Sequence, residues 1–272
     1  MTARSVFVFF VSSLSFAVSV PANAELSGEQ IYSIFSQANE AFRQANLTAD
    51  NPAQAKKLYE KAILAYERII NDGEVENAKL YYNLANAYFL KEDIGKAILN
   101  YRRAEKLDSA DANLRKNLDF ARSKRIDKIK PRAEKRVLQT LFFWHYDFSL
   151  KTKFVLTCFF FATICGSLTV MVWFGRAASS TVTAIIAALL MICVLSSVIL
   201  EAGYRASSVG GVITADEVVA RQGDGQNYPA SFKAPLHAGT EYDLLERRPG
   251  WYHIRLFDDS DGWIPDHSAD SI

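Results

Sequence analysis

Histidine and aspartate residues gather near the end of the chain, and both residue types can bind metal ions or transfer protons. A calcium loop that began at Asp259 would need glycine at its sixth position and glutamate at its twelfth, where Ile264 and Asp270 stand. The aspartates and glycine between Asp258 and Gly262 favour a hairpin turn instead. We therefore expect no metal site in this cluster, which comprises His253, Asp258, Asp259, Asp261, Asp266 and His267.

Nucleophilic and phosphate-binding chemistry is not indicated either. The cysteines Cys158, Cys165 and Cys193 all lie within long apolar segments, and serine, histidine and aspartate follow no catalytic motif order. Gly210-Gly211 is too short for a phosphate-binding loop. A formal net charge of +1 excludes a chain whose whole surface neutralises phosphate. The sequence therefore predicts a protein that is not an enzyme, needs no cofactor or metal, and binds no nucleic acid.

Side chains suited to holding another polypeptide recur between positions 79 and 117. Asparagine amides can hold an extended peptide by its backbone, and a lysine can pair with a carboxylate. For each residue taken singly, a solvated helix surface is the alternative interpretation. The predicted partner-binding residues are Lys79, Tyr82, Asn83, Asn86, Lys116 and Asn117.

Helices must position these residues, and residues 25–123 predict a helical repeat domain. Ala85 and Ala97 would let two antiparallel helices approach closely, while Tyr88 and Tyr101 would fill the space beside them. Ser109 stands where such a repeat usually has proline. The spacing resembles the tetratricopeptide repeat and is carried by Tyr81, Leu84, Ala85, Tyr88, Ala97, Tyr101 and Ala104.

A second, less regular repeat is predicted upstream of this one. Its first helix, around Ala38 and Phe42, is expected to join its partner through a longer insertion from Leu47 to Gln54. Asn71-Asp72-Gly73 predicts the break before the next helix. A closing helix around Leu118 would complete two repeats and a cap. The second helix of this upstream repeat is indicated by Ala62, Ile63, Tyr66 and Ile69.

Two uncharged apolar segments, residues 154–174 and 182–200, predict transmembrane helices. At ~1.5 Å rise per residue each approaches the ~30 Å thickness of the hydrocarbon core, and lipid offers the backbone no hydrogen-bond partner outside a helix. The short connector Gly175 to Thr181 predicts an antiparallel hairpin. A buried helix pair in a soluble domain is the alternative interpretation.

Residues 1–24 predict a signal peptide. Arg4 precedes an apolar run from Val6 to Val20, and Ala22-Asn23-Ala24 matches the small residues that a signal peptidase recognises. We expect the mature chain to begin at Glu25. An uncleaved membrane anchor is the alternative interpretation.

An even number of spans would place the two flanking domains on the same side of the membrane. The signal peptide predicts that this side is extracytoplasmic. The loop charges favour the opposite orientation, because Lys135, Arg136, Lys151 and Lys153 precede the first span whereas the connector has only Arg176. We follow the signal peptide, since a domain of about a hundred residues is translocated largely regardless of its charge.

Residues 124–153 form a basic and aromatic juxtamembrane linker in this interpretation. The basic run begins at Arg115 and ends at Arg136. It could recognise anionic lipid headgroups or an acidic partner. Alternatively, it is a solvated helix that links a domain to its anchor. The aromatic residues suited to the headgroup region are Phe142, Phe143, Trp144, Tyr146 and Phe148.

Residues 209–272 predict a small β-barrel, with turn signals at Gly223-Asp224-Gly225 and Arg248-Pro249-Gly250. Most of residues 210–272 resembles bacterial SH3 domains, through Leu236-His237-Ala238-Gly239-Thr240, then Gly250-Trp251-Tyr252-His253-Ile254-Arg255, then Asp261-Gly262-Trp263-Ile264-Pro265. Alternation along the strand places Tyr252, Ile254 and Leu256 on the core side, with Trp251, His253 and Arg255 opposite. A ligand platform for a peptide or a sugar ring is predicted at Trp251, with Tyr228 and Tyr242 as further candidates. Packing of Trp251 over the barrel end is the alternative interpretation.

The order of these parts resembles that of the BatE-type proteins of the aerotolerance operon. The resemblance spans nearly the whole chain and is carried by Leu80-Tyr81-Tyr82-Asn83-Leu84-Ala85-Asn86-Ala87-Tyr88, Phe143-Trp144-His145-Tyr146, Gly250-Trp251 and Gly262-Trp263. It implies a multidomain membrane protein: an α-helical tetratricopeptide repeat array, a two-helix transmembrane hairpin and a small all-β SH3-like barrel. It implies a two-pass protein of the bacterial inner membrane, with both soluble domains in the periplasm.

The resemblance also implies a function and partners. Members of the family act as non-enzymatic scaffolds with membrane proteins that carry von Willebrand A domains, in complexes linked to stress or oxygen tolerance. The expected partners are therefore such proteins and the lipid bilayer. A cell-wall sensor, in which the barrel binds peptidoglycan and the repeats signal to a partner, is the alternative hypothesis.

Overall fold

The computed structural model describes residues 26–48, 50–109, 111–129, 142–146, 148, 150–175, 177–207 and 210–272. A helical domain comes first, two long apolar helices follow, and a small antiparallel β-domain comes last. The predicted signal peptide and residues 130–141 of the basic linker lie outside the described residues.

The helical domain begins each of its helices with a side-chain cap. Ser27, Asn51, Asn77, Asp93 and Asp111 each accept a hydrogen bond from a backbone N–H in the first turn, which satisfies a donor that the helix leaves without a partner. The helices are α1 (Gly28–Leu47), α2 (Pro52–Asn71), α3 (Ala78–Leu90), α4 (Ile94–Leu107) and α5 (Ala112–Ser123).

Small residues bring these helices together as the spacing predicts. Ala85 of α3 and Ala97 of α4 are fully buried, and Tyr88 and Tyr101 are almost completely buried beside them. Close approach of the backbones at alanine leaves room that the tyrosine rings fill. The upstream positions Ala62, Ile63, Tyr66 and Ile69 are also buried in the same core.

The connection between α1 and α2 is shorter than the sequence predicted. The insertion expected from Leu47 to Gln54 is wrong, because α1 continues to Leu47 and α2 begins at Pro52. Proline is favourable at the first helical position, and Asn51 accepts a hydrogen bond from the backbone N–H of Gln54 at 3.3 Å. The predicted insertion is therefore largely the start of α2.

Among the described residues in the middle of the chain, three helices follow: α6 (Phe143–Tyr146), α7 (Leu150–Phe174) and α8 (Ala178–Ser207). Within Lys151–Phe174 and Ala178–Leu200, 18-residue windows have mean hydropathies of 2.1 and 2.8, and both helices are long and apolar enough to cross a membrane. The two helices pack against each other as a hairpin. The connector is shorter than predicted, because α8 begins at Ala178.

A polar contact joins α6 to the base of this hairpin. The ammonium of Lys153 donates to the backbone carbonyl of His145 at 2.8 Å, and Nδ1 of His145 lies 2.8 Å from the hydroxyl of Ser197. Lys153 is buried there, although the sequence marked it only as a boundary residue. The aromatic approach is thus attached to α7 and α8.

The β-domain contains a five-stranded antiparallel sheet in the order β6-β5-β4-β1-β7 and a two-stranded pair, β2-β3. Ile254 and Leu256 are buried and Tyr252 packs against the same core, as the alternation predicts. The predicted hairpin turn near Asp259 joins β5 to β6. The strands are β1 (Gly210–Ile213), β2 (Glu217–Val218), β3 (Leu236–His237), β4 (Glu241–Arg248), β5 (Trp251–Arg255), β6 (Asp261–Pro265) and β7 (Ala269–Ser271).

Candidate functional site

Three of the predicted partner-binding residues, Tyr82, Asn86 and Asn117, form one hydrogen-bonded group with Tyr101, which we call the amide cluster. The Asn86 carbonyl oxygen Oδ1 accepts from the Tyr101 hydroxyl at 2.5 Å and from Nδ2 of Asn117 at 3.2 Å. The same Nδ2 lies 2.9 Å from the Tyr82 hydroxyl oxygen, which accepts from it. Helices α3, α4 and α5 are therefore joined through these side chains.

The amide cluster leaves one donor and one acceptor unused. Nδ2 of Asn86 and Oδ1 of Asn117 make no hydrogen bond with another residue in the described part of the chain. Burial raises the pKa of Tyr101, which keeps its hydroxyl protonated as the donor to Asn86. A free amide donor next to a free amide acceptor is complementary to a peptide group.

The remaining predicted residues lie around this cluster. Lys79, Asn83 and Asn86 share one face of α3, because positions three and four apart on a helix are neighbours. Lys79 and Lys116 are exposed, and Asn83 is partly exposed. Neither lysine forms an ion pair with another described residue. We call the surface formed by Lys79, Asn83, Lys116 and the amide cluster the amide face.

One residue on this side was not predicted from the sequence. Phe120 of α5 is 55% exposed, with its ring centroid 5.5 Å from that of Phe89. The ammonium of Lys124 lies 5.1 Å from the Phe120 ring centroid. The sequence signal that could have identified Phe120 is an aromatic residue one helical turn after Lys116 and Asn117. Phe120 borders an open groove of about 580 Å³, here named the α5 groove, lined by Lys116, Asn117, Asp119, Phe120 and Ser123.

A second polar region lies where the helical domain meets the β-domain, and we call it the Glu241 junction. Glu241, at the start of β4, is only 5% exposed. Arg122 binds its carboxylate with two nitrogens, Nε at 2.9 Å and Nη2 at 2.8 Å. Nη1 of Arg125 donates at 3.1 Å, and Nε of Arg102 forms an ion pair at 3.3 Å. One carboxylate of the β-domain therefore binds three arginines, one from α4, one from α5 and one from the segment after α5.

The electrostatics of the junction keep Glu241 ionised. Burial alone would raise its pKa, but the hydrogen bond and charge of Arg122, together with Arg102 and Arg125, lower the pKa below its usual value. Burial also disfavours the charged form of Arg122 and acts to lower its pKa. The Glu241 carboxylate outweighs burial, so the pKa of this guanidinium is raised. Bidentate arginine–carboxylate geometry of this kind combines strength with orientation.

A second carboxylate fixes the β-domain from the other side. Asp127 accepts from the His237 backbone N–H at 2.6 Å and from the Thr240 hydroxyl at 2.7 Å, and its Oδ1 lies 2.9 Å from Nδ1 of His237. Burial acts to raise the pKa of Asp127, but these hydrogen bonds outweigh it and lower the pKa. Asp127 therefore anchors the loop between β3 and β4.

Apolar contacts complete the junction. Val212 of β1 is fully buried in the hydrophobic core of the helical domain, while Ile129 packs against the core of the β-domain. The guanidinium of Arg103 donates to the backbone carbonyl of Ser271 at 2.9 Å. The two domains thus share buried surface rather than touching only at their rims.

These contacts change the interpretation of the basic stretch. Arg122 and Arg125 are neither solvated nor free for lipid headgroups, because their guanidinium groups bind Glu241 of the same chain. The prediction of a solvated linker, and that of a lipid or partner surface, are therefore wrong for these two residues. The exposed Lys124 and Lys128 remain open to either interpretation.

The three aromatic candidates of the β-domain differ in exposure. Tyr242 is 4% exposed, so its predicted role in a ligand platform is wrong: its ring packs over Gly211 in the core of the β-domain. Burial raises the pKa of its hydroxyl. Trp251 is partly exposed at the start of β5, and Tyr228 is 48% exposed. A platform is therefore open only to Trp251 and Tyr228 among the three.

The histidine and aspartate cluster serves packing in this structure. His253 stacks on Trp263 with ring centroids 4.7 Å apart, and its Nε2 lies 2.8 Å from a carboxylate oxygen of Asp261. Across the described residues, no group of three or more potential ligands could hold a metal ion. No protein-family model and no curated protein matches this chain. The functional argument therefore depends on the geometry of the amide face and the Glu241 junction.

Proposed function

We propose that this chain is a non-enzymatic, membrane-anchored scaffold whose helical domain, built from tetratricopeptide repeats, holds a segment of a partner protein on the amide face. The observation that carries this proposal is the unused donor of Asn86 beside the unused acceptor of Asn117, at the centre of a surface with exposed lysines. Hydrogen bonds within the amide cluster fix both amides in place, so binding costs little side-chain entropy.

The hairpin and the Glu241 junction support the anchored arrangement. Residue 129 precedes α7 and residue 210 follows α8, yet the domains to which they belong pack together. Such packing requires both domains to lie in one aqueous compartment, as an even number of spans predicts. Together with the predicted signal peptide, this favours the periplasmic side of a bacterial inner membrane.

The resemblance to BatE-type proteins suggests which partners to test first. Membrane proteins with von Willebrand A domains, within a Bat-type complex linked to stress or oxygen tolerance, are the expected class. The β-domain, as an SH3-like barrel, then serves to hold the repeats near the bilayer, because only residues 208 and 209 separate α8 from β1.

Site-specific photo-crosslinking in cells tests the proposal. A photo-reactive amino acid at Asn83, on the amide face, should give an adduct with a partner protein, identified by mass spectrometry. Replacing both Asn86 and Asn117 with alanine should remove the adduct. The matched control is the same photo-reactive group at Leu64, which is 62% exposed on α2. Adducts of equal yield at Leu64, or adducts that survive the double replacement, would contradict the proposal.

A cell-wall sensor is the second candidate, favoured by the exposed Tyr228 ring and the partly exposed Trp251 ring on the β-domain. Aromatic faces of this kind bind sugar rings and peptides. The full-length protein in mild detergent should sediment with purified peptidoglycan, and Tyr228→Ala with Trp251→Ala should abolish sedimentation. Tyr32→Ala removes a ring that is 76% exposed on the helical domain and is the control. No sedimentation by the unaltered chain would exclude this candidate.

A further inference from the structure

The α5 groove lies directly beside the amide cluster and has a chemistry of its own. Building on the proposed function, we infer that this groove receives a bulky apolar side chain of the bound segment, flanked in that segment by acidic residues. Three features carry the inference: an exposed aromatic ring, two cations on the same helix face, and continuity with the amide cluster.

The exposed ring is Phe120. The apolar residues Leu114, Leu118 and Ala121 of α5 are buried against the helical core, whereas more than half of Phe120 is exposed. Phe89 contacts its ring at a centroid distance of 5.5 Å, and the α5 groove opens beside Phe120. Burying an aromatic ring of this exposure removes a large apolar area from water, which strongly favours an apolar ligand group.

The charges around Phe120 select the flanking residues of the ligand. Lys116 and Lys124 lie four residues before and after Phe120, so all three share one face of α5. Both lysines are exposed, and neither forms an ion pair with another described residue. Asp119 also lines the groove, but its carboxylate already binds Arg122 at 3.2 Å. Lys116 in the groove and Lys124 over the Phe120 ring therefore place positive charge on both sides of this ring, which acidic residues complement.

Asn117 joins the two parts of the surface. It lines the α5 groove and belongs to the amide cluster. Asn117 and Phe120 are separated by about 4.5 Å along the helix axis, at ~1.5 Å per residue. An extended segment advances ~3.3 Å per residue, so the apolar side chain follows the peptide group held at Asn117 by one or two residues.

Synthetic peptides test this specificity directly. The probes are fluorescein-labelled peptides of equal length: one with phenylalanine between glutamates, one with alanine between glutamates, and one with phenylalanine between serines. Fluorescence anisotropy with the full-length protein in mild detergent should show that the first binds at least about tenfold tighter than the others. Phe120→Ala should reduce the affinity for the first peptide to that for the alanine peptide. Lys116→Gln combined with Lys124→Gln should reduce the affinity for the first peptide to that for the serine peptide.

Controls separate specificity from folding. Phe120→Leu keeps an apolar group and should retain most of the preference, and Leu47→Ala, at an exposed residue of α1, should change nothing. The inference is overturned if the first peptide does not bind at concentrations up to about 1 mM, or if Phe120→Ala weakens all three peptides equally. A crosslink at Asn83 together with equal binding of the three peptides would support the scaffold proposal and overturn the inference about the groove. Tighter binding of the first peptide without any crosslink would overturn the scaffold proposal and support the inference about the groove.

Discussion

The Glu241 junction and the amide face are built from the same helices but use their polar groups in opposite ways. At the junction one carboxylate binds three arginines, and a second carboxylate accepts three contacts from the β3-β4 loop. On the amide face Asn86 and Asn117 are held in place, yet each keeps an unused group near exposed lysines. Buried charges that bind one another across the two domains fix the arrangement of the domains, whereas oriented amide groups without a hydrogen-bond partner in the described part of the chain are available to a partner.

Replacement of Glu241 should give the largest difference in stability between the Glu241 junction and the amide face. Glu241→Ala leaves three guanidinium groups crowded and partly buried without their anion, at a cost of about 3–5 kcal/mol to the docking of the β-domain. Hydrogen exchange of the full-length chain in detergent should then increase across β1, β4 and α5. Glu246→Ala on the same strand is the control, because its ion pair with Arg248 is half-exposed and should contribute less than about 1 kcal/mol. Equal exchange in the two variants would show that the junction does not hold the domains.

Acid should weaken the junction before it affects the amide face. The pKa values of Glu241 and Asp127 are lower in the folded chain than the ~4.3 and ~3.9 of unfolded glutamate and aspartate. The unfolded state then binds more protons, so stability decreases as the pH is lowered. Their contribution is fully present above about pH 5 and is lost as the pH falls below ~4 and through the lower folded values. Hydrogen exchange of β4 against pH measures this, and Glu241→Gln should flatten the dependence.

Gly239 offers a smaller test of close packing at the junction. Its φ is +88°, and a Cβ added there would lie 3.0 Å from Ile98 and 3.1 Å from Arg125. We therefore expect Gly239→Ala to lower the free energy of unfolding by about 2 kcal/mol. Gly250 has a similar φ of +79° with nothing within 4 Å of a Cβ. Gly250→Ala therefore isolates the backbone strain, at about 1 kcal/mol. Thermal unfolding measures the loss of stability in each variant. Equal losses would mean that the contact with Ile98 and Arg125 adds nothing to the cost.

Lys116→Ala should have the smallest effect on stability, within about 0.5 kcal/mol, because the side chain is exposed and forms no ion pair with another described residue. Its effect on the photo-crosslink at Asn83 should nevertheless be large. Thermal unfolding and crosslink yield, measured on the same preparation, show whether the two quantities separate. A loss of stability comparable to that of Glu241→Ala would mean that Lys116 is structural.

Local patterns were sufficient to predict the helices, the hairpin and much of the β-domain. The alternation at Ile254 and Leu256 and the alanines at the crossing of α3 and α4 carry that information within short stretches of sequence. The junction could not be predicted in this way. Arg122 and Glu241 are 119 positions apart, and a basic run indicates charge without indicating its partner.

The error at Tyr242 has the same origin. Glu241 and Tyr242 are adjacent on β4, so they point to opposite faces of the strand, and both are buried. Glu241 faces the arginines while Tyr242 faces the core of the β-domain. Only the start of β4 is covered on both sides, and alternation along the strand does not show which face is buried. Phe120 was not predicted, because an aromatic ring is exposed only where no other element packs on it. A short stretch of sequence does not show this.

The brevity of the connection between α8 and β1 has a mechanical consequence. Three Cα-to-Cα steps join Ser207 to Gly210, which is at most about 11 Å of chain. The start of the β-domain therefore stays within this distance of the end of α8, whatever conformation the two joining residues adopt. Because Arg122 binds Glu241, the helical domain is held by the same short tether, which limits how far either domain can move from that end of the hairpin.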